Sequence, residues 1–175
     1  MLGKGNIFLI GPMGSGKTAV GRHLARMLHF TFYDSDADIE ERTGVDIAFI
    51  FEKEGEPGFR IREKESIDRL TRLQSVVLAT GGGAVIEADN RRVLAERGVV
   101  VYLATSIDQQ LERTRHARHR PLLNDVDPEQ KLEELMQRRA LWYAEIADFT
   151  VSTDGRRVQL VAEEIYHELR RAPAR

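Results

Sequence analysis

Short apolar or β-branched runs alternate along the chain with longer segments in which apolar residues recur every three or four positions. The runs have the length of buried strands, and the segments between them have the spacing of amphipathic helices. This alternation predicts a parallel sheet built from strand-helix-strand units. The five predicted strands are Ile7–Ile10, Phe30–Tyr33, Val76–Ala79, Val99–Leu103 and Phe149–Val151.

Two of the predicted helices have a clear apolar stripe. The first begins near Lys17, directly after the first strand, and the second closes the domain. We therefore expect an α/β fold of three layers, with a five-stranded parallel sheet flanked by helices, in one domain over residues 1–175. The stripes are Val20, Leu24, Met27 and Leu28 in the first helix, and Val158, Val161, Ile165 and Leu169 in the second.

Composition excludes several classes of function. The 26 basic and 28 acidic residues leave a net charge of −2, which gives no overall attraction to nucleic acid or to an anionic membrane. The chain has no cysteine, so a disulfide framework and a thiolate site are excluded. The first apolar run is too short for a signal peptide or a membrane span. We expect a soluble, cytoplasmic monomer that binds neither nucleic acid nor membrane.

Residues 11–18, GPMGSGKT, match the phosphate-binding loop pattern G-x-x-x-x-G-K-[ST] and lie between a predicted strand and a predicted helix. Backbone N–H groups of such a loop point at phosphate oxygens, and the helix N-terminus adds its positive dipole end. Lys17 should reach the outer phosphates, and the Thr18 hydroxyl should bind Mg²⁺. The rival interpretation, a dinucleotide fingerprint from Gly14 to Ala19, would need a substrate domain for which the chain has little room.

Two carboxylates, Asp34 and Asp36, follow the second predicted strand at once. A P-loop protein usually holds its magnesium with an acid after a later strand, but the runs ending at Ala79 and Leu103 are not followed by one. The two aspartates are therefore the available carboxylates for a metal. A turn and helix cap is the simpler interpretation.

Three candidate ligand-binding segments thus follow three predicted strands: the P-loop, the aspartates and the glycine run Gly81-Gly82-Gly83. Because loops at the carboxyl ends of parallel strands share one edge of the sheet, they could form one site. The glycine backbone could approach a polyhydroxylated ligand closely, although a tight turn is the alternative.

Arginines supply candidate anion contacts in two further segments. Arg60 and Glu63 lie three apart on one helix face, where Glu63 can orient the guanidinium to receive a carboxylate in two-point fashion. A solvated surface pair is the alternative. Either Arg138 or Arg139, on a later helix, could be a second carboxylate clamp.

Residues 113–124 contain four arginines and two histidines, and the sequence RPLL stands near the end of this segment. A solvated basic face or an RNA-binding patch would explain this composition. In a phosphotransferase the segment serves better as a lid, whose arginine neutralises charge on the transferring phosphoryl group and whose closure excludes water.

Together these motifs resemble the shikimate kinase family, in the nucleoside-monophosphate-kinase-like branch of P-loop proteins. The resemblance runs from Ile7 to about Ile165 and includes GPMGSGKT, YDSDADIEERTG, IAFIFEKEGEPGFRIRE, VVLATGGG, RPLL and RRALWY. The P-loop alone indicates only nucleotide binding, whereas the combination is far more specific.

The resemblance implies ATP-dependent phosphorylation of the shikimate 3-hydroxyl, in the route to chorismate and the aromatic amino acids, with one Mg²⁺ ion bound with ATP. It implies a P-loop at 11–18, a substrate-binding segment at about 34–63 and a lid at about 113–124. The implied catalytic residues are Lys17, Asp36 and Arg120. The residues that the resemblance implies for binding shikimate are Asp36, Arg60, Gly81, Gly82, Gly83 and Arg139. Those for ATP are Gly14, Ser15, Gly16, Lys17, Thr18, Ala19, Arg113, Arg120 and Arg156, and those for the metal are Thr18 directly and Asp34 through water.

Two other functions share part of this pattern. A related kinase for gluconate or a nucleoside monophosphate would have the P-loop and the lid, but the DSD, FRxxE and GGG set distinguishes it. A nucleotide-dependent binding module without catalysis is the other alternative. The joint presence of Lys17, Asp36 and Arg120 argues against it.

Overall fold

The computed structural model describes residues 5–115 and 127–171. Its strands form one five-stranded sheet in the order β2-β3-β1-β4-β5, and every neighbouring pair is parallel. The predicted parallel sheet is therefore confirmed. The strands are β1 (Ile7–Ile10), β2 (Thr31–Asp34), β3 (Val76–Ala79), β4 (Val99–Ala104) and β5 (Phe149–Ser152).

The strands alternate with helices; two helices lie between β2 and β3, and two described helices lie between β4 and β5. The helix α3 bends at Gly55, whose φ of 70° interrupts the helical backbone two residues before Pro57. In the ranges 5–115 and 127–171, the helices are too short or too polar to cross a lipid bilayer. The helices are α1 (Lys17–Leu28), α2 (Ser35–Thr43), α3 (Ile47–Thr71), α4 (Ala88–Arg97), α5 (Ile107–Thr114), α6 (Pro128–Ile146) and α7 (Val158–Arg171).

Alternation along the central strand β1 divides the core into two layers. Ile7 and Leu9 point to one face of the sheet and pack with residues of α1 and α7. Phe8 and Ile10 point to the other face and pack with residues of α3, α4 and α6. All four side chains are completely buried, as expected for a parallel strand covered on both faces. The predicted three-layer arrangement is confirmed.

The second strand begins one residue later than predicted, because Phe30 takes part in the C-cap that follows α1. His29 adopts a left-handed conformation with φ 57°, and the Phe30 N–H donates to the Ala25 carbonyl at 2.9 Å. This is the hydrogen-bond pattern of a helix C-cap. Strand pairing then starts at Thr31, and Asp34 becomes the last residue of β2. The shift places the Asp34 carboxylate at the edge of the sheet where the P-loop begins.

Candidate active site

A cavity of about 310 Å³ opens where β1, β2 and β3 end. Its walls combine the P-loop after β1 with Asp34 and Asp36 at the end of β2 and with Gly81 and Gly82 after β3. The structure thus brings together the three segments that the strand order placed at one edge. The volume lies in the range of small-ligand pockets.

The P-loop curls around the start of α1. Gly16 caps the helix with a φ of 87°, a left-handed backbone that a side chain would strain. The buried Lys17 ammonium donates to the carbonyls of Gly11 at 2.7 Å and Pro12 at 2.8 Å. Its charge is therefore held inside the loop, at the helix N-terminus, where an anion is favoured.

Thr18 and Asp34 form the oxygen-rich corner of the cavity. The Thr18 hydroxyl donates to Asp34 Oδ2 at 2.7 Å. The other carboxylate oxygen, Oδ1, accepts from the backbone N–H groups of Asp36 at 2.9 Å and Ala37 at 3.2 Å, and so caps α2. Asp34 is thus both a helix cap and a neighbour of the P-loop hydroxyl, because its two oxygens face in different directions. Hard oxygen donors of this kind suit Mg²⁺.

Asp36 faces the glycine turn from the first turn of α2. A Cβ atom on Gly81 would lie 3.0 Å from Asp36 Oδ1 and 2.9 Å from Glu63 Oε2. The Gly81 N–H donates to the hydroxyl of the buried Ser35 at 3.1 Å. The absence of a side chain at Gly81 therefore lets the turn approach both carboxylates.

Arg60 and Glu63 form a buried ion pair, so the alternative interpretation, a solvated surface pair, is wrong for them. Arg60 is 8% exposed and Glu63 is 0% exposed. The Arg60 guanidinium donates to Glu63 at 2.8 Å and to the half-exposed Glu56 at 2.9 Å. Burial lowers the pKa of Arg60, but the charge of Glu63 and the hydrogen bonds to both acids raise it by more. The guanidinium therefore stays charged and fixed.

The structure distinguishes Arg139 from Arg138, which the residue pattern left equivalent and of which the family resemblance named Arg139. Arg139 is 5% exposed, and its Nη1 would lie 3.6 Å from a Cβ on Gly82. The side chain of Arg138 is 68% exposed and pairs with Glu134 at 2.7 Å on the outside of α6. Only Arg139 of these two therefore faces the glycine turn.

The glycine turn packs tightly against the side chains of the site. A Cβ atom on Gly83 would collide with the Arg60 guanidinium, so any other residue there would displace this guanidinium from its position. The carbonyls of Gly81 and Gly83 accept from Ala84 and Ile86 at 3.1 Å each. The Gly82 carbonyl accepts from the Tyr143 hydroxyl at 2.5 Å. Within the described part of the chain, no acceptor meets the N–H groups of Gly82 and Gly83.

Two residues assigned to ATP have different surroundings. Arg113 bridges the P-loop to the segment after β5, since it donates to the Gly14 carbonyl at 3.0 Å and to the Thr153 carbonyl at 2.8 Å. Arg156 instead turns to α7, where it pairs with Glu164 at 2.6 Å. Arg113 lines the cavity, and the assignment of Arg156 to ATP stays a prediction.

Two predicted features fall outside the described residues. Arg120 and most of the lid at about 113–124 lie in the stretch 116–126, which the structure does not describe. In contrast, Tyr143 reaches the glycine turn although the sequence did not single it out. In the sequence, Tyr143 occupies what looks like an ordinary apolar core position of α6. Only its place four residues after Arg139 indicated that it lies on the same helix face as that arginine.

These features define the class of the protein. A parallel sheet with a phosphate-binding loop after its first strand, and with a cavity at the carboxyl ends of its strands, is a P-loop kinase fold. Comparison with known proteins then gives the family. The family model described as "Shikimate kinase" matches residues 13–170. The chain belongs to the shikimate kinase family, and it is a small-molecule phosphotransferase.

Relatives and solved structures agree with this assignment. A shikimate kinase of Psychromonas ingrahamii is 55% identical over 160 residues, which are 91% of this chain and 94% of the relative. A shikimate kinase of Aliivibrio salmonicida is 53% identical over 169 residues, 97% of this chain and 98% of the relative. A solved structure of shikimate kinase from Acinetobacter baumannii in complex with shikimate has a TM-score of 0.94 and 48% identity, and the match covers 96% of this chain and 94% of that one.

Proposed function

We propose that this chain transfers the γ-phosphoryl group of ATP to the 3-hydroxyl of shikimate, giving shikimate 3-phosphate and ADP. The observation that carries the proposal is that a phosphate-binding surface and a surface suited to a small anionic acceptor lie side by side. A phosphate-binding loop meets a buried, charged Arg60–Glu63 pair, Asp36 and Arg139 around the glycine turn. Phosphoryl transfer needs this combination of positioning and charge stabilisation.

The acceptor side suits a small anion that carries hydroxyl groups. Arg60 and Arg139 approach the glycine turn from different helices, and each is buried. Two arginines can hold one carboxylate with fixed, charge-assisted hydrogen bonds. Asp36 and the N–H groups of Gly82 and Gly83 supply an acceptor and two donors for hydroxyls. Shikimate has one carboxylate and three hydroxyls, and it is the ligand of the Acinetobacter baumannii relative.

Transfer begins with a hydrogen bond from the 3-hydroxyl to the Asp36 carboxylate, which orients the hydroxyl oxygen toward the γ-phosphorus. The new O–P bond forms as the bond to the β–γ bridging oxygen breaks. ADP leaves, and Asp36 accepts the hydroxyl proton. Lys17 neutralises charge on the phosphates from within the P-loop. We assign the same task to Arg120, which lies outside the described residues.

The residues of the oxygen-rich corner fit Mg²⁺. Thr18 would hold the ion directly and Asp34 through water, since these two side chains offer hard oxygen atoms next to the phosphate-binding loop. When bound with ATP, the ion supplies positive charge to the β- and γ-phosphates. Arg113 lines the cavity and binds the Gly14 carbonyl of the P-loop, and we assign it to the adenine of ATP. A monomeric state and a cytoplasmic location stay predictions.

A coupled assay of ADP release tests the proposed function. Purified protein with MgATP is supplied in turn with shikimate, gluconate, AMP or no acceptor. We expect ADP release that depends on shikimate and stays at the no-acceptor level with the other two. A Lys17→Met variant controls for a contaminating kinase and should lose the shikimate-dependent rate. Turnover with gluconate or AMP but not with shikimate would contradict the proposal, and ATP binding without any turnover would indicate a binding module.

A further inference from the structure

Tyr143 connects the last helix before β5 to the glycine turn. Its side chain is 1% exposed, and its hydroxyl donates to the Gly82 carbonyl at 2.5 Å. The ring stacks on Tyr102 of β4, with the ring centres 5.1 Å apart and the planes 22° from parallel. Packing against the sheet therefore fixes where this hydroxyl lies.

The hydrogen bond controls one peptide plane of the substrate site. The Gly82–Gly83 peptide is trans, so its N–H points away from its carbonyl. When Tyr143 holds the carbonyl of Gly82, it also sets the direction of the Gly83 N–H. Within residues 5–115 and 127–171 that N–H has no acceptor. Glycines rotate easily about φ and ψ, so this plane needs an external constraint.

Arg139 precedes Tyr143 by four residues, so both side chains lie on one face of α6. Burial raises the pKa of the Tyr143 phenol to about 12, and the nearby Arg139 opposes this rise. The phenol keeps its proton at neutral pH and donates it to Gly82. The Arg139 side chain lines the same small cavity as Tyr143 and lies close enough to lower the pKa of the phenol. The hydroxyl thus binds the turn directly and lies beside the arginine.

We propose that Tyr143 is a positioning residue of the acceptor site, whose hydroxyl holds the Gly82–Gly83 peptide and the Arg139 guanidinium in a single arrangement. This inference rests on the proposed function, because it places both groups against shikimate. A purely structural role, in which the ring only fills the core, predicts no effect from removal of the hydroxyl alone. The two roles therefore differ in what Tyr143→Phe does.

Tyr143→Phe removes the hydroxyl and keeps the ring, and Tyr102→Phe makes the same change in the partner of the stacked pair. Loss of this hydrogen bond to the partly buried Gly82 carbonyl should raise the KM for shikimate about tenfold in Tyr143→Phe. We expect the KM for ATP to change less than about twofold, since the P-loop contacts are untouched. Tyr102→Phe should leave both constants within about twofold of the wild type.

Thermal unfolding of both variants accompanies the kinetics and shows whether each is folded. An unchanged KM for shikimate in Tyr143→Phe would overturn the inference, and so would an equal rise in both KM values. If Tyr143→Phe does not fold, the wild type is tested by NMR, where the Gly83 amide proton should shift on titration with shikimate because the inference aims this N–H at the ligand. A Gly83 amide that does not respond to shikimate would also overturn the inference. Failure of the proposed function is separate, because the wild type would then show no shikimate-dependent turnover.

Discussion

Replacement of Arg139 by alanine, compared with the same change at Arg138, tests the acceptor side of the site within one helix. The two residues are adjacent on α6 and chemically identical, so they differ only in the direction of the side chain. Arg139 is 5% exposed and faces the glycine turn. The side chain of Arg138 is 68% exposed and pairs with Glu134. Any difference between the variants therefore reports the position of the guanidinium.

The size of the effect follows from these surroundings. A hydrogen bond to a charged group contributes about 1.5–3 kcal/mol, and about 1.4 kcal/mol corresponds to a factor of ten in binding. Arg139→Ala should therefore raise the KM for shikimate by roughly 10- to 100-fold. Burial raises the pKa of Glu63, and the positive charge of Arg139, after that of Arg60, opposes this rise. Arg139→Ala removes one of these charges, so we expect a loss of about 1–2 kcal/mol in the free energy of unfolding. An exposed pair such as Arg138–Glu134 contributes only about 0–1 kcal/mol.

Steady-state kinetics with each substrate varied in turn, together with urea unfolding, measure both effects. Arg139→Ala should change the KM for shikimate selectively, with the KM for ATP within about twofold of the wild type. Arg138→Ala should match the wild type in both. Equal effects of the two variants, or a selective loss of ATP affinity in Arg139→Ala, would refute the assignment of Arg139 to the substrate carboxylate.

Three further predictions concern other parts of the site. Asp36→Asn should lower kcat by about 100-fold or more because it removes the proton acceptor, with ATP affinity measured by titration unchanged, and an unchanged kcat would exclude Asp36 from the mechanism. Thr18→Val should raise the Mg²⁺ concentration for half-maximal activity by about tenfold, since the hydroxyl beside Asp34 is lost, and an unaltered Mg²⁺ requirement would contradict the metal assignment. The pKa of Tyr143 rises from 10.0 unfolded to about 12 folded, so its contribution to stability is present below pH 10 and is lost as the pH rises toward 12. Urea unfolding across that range should show a loss of about 2–3 kcal/mol in the wild type that is smaller in Tyr143→Phe, and parallel pH profiles would contradict the burial argument.

The local sequence pattern was sufficient to predict the sheet and to predict that the P-loop, the two aspartates and the glycine run lie together at one edge of it. The strands are short and apolar, so their positions follow from composition, and parallel pairing alone brings the ends of β1, β2 and β3 to one edge. The start of β2 was one residue wrong, because a helix cap at His29 depends on backbone geometry that the apolar run does not encode.

Side-chain direction and burial were harder to predict. The residue pattern alone could not choose between Arg138 and Arg139, because adjacent helical residues differ by about 100° in direction and only tertiary packing sets the absolute phase. The choice of Arg139 came from the family resemblance. The burial of the Arg60–Glu63 pair likewise depends on the glycine turn that packs over it. Tyr143 was missed for the same reason, since its hydroxyl meets a carbonyl 61 residues away along the chain.

The account centres on transfer of the phosphoryl group to one hydroxyl of shikimate, and the product tests this most directly. Phosphorus NMR of a reaction with MgATP and shikimate would identify the phosphorylated position through coupling to the adjacent ring proton. We predict one phosphate monoester on the 3-hydroxyl, formed in equal amount to ADP. Phosphorylation at another hydroxyl would contradict the placement of Asp36, and ADP formed with inorganic phosphate alone would contradict the proposed transfer.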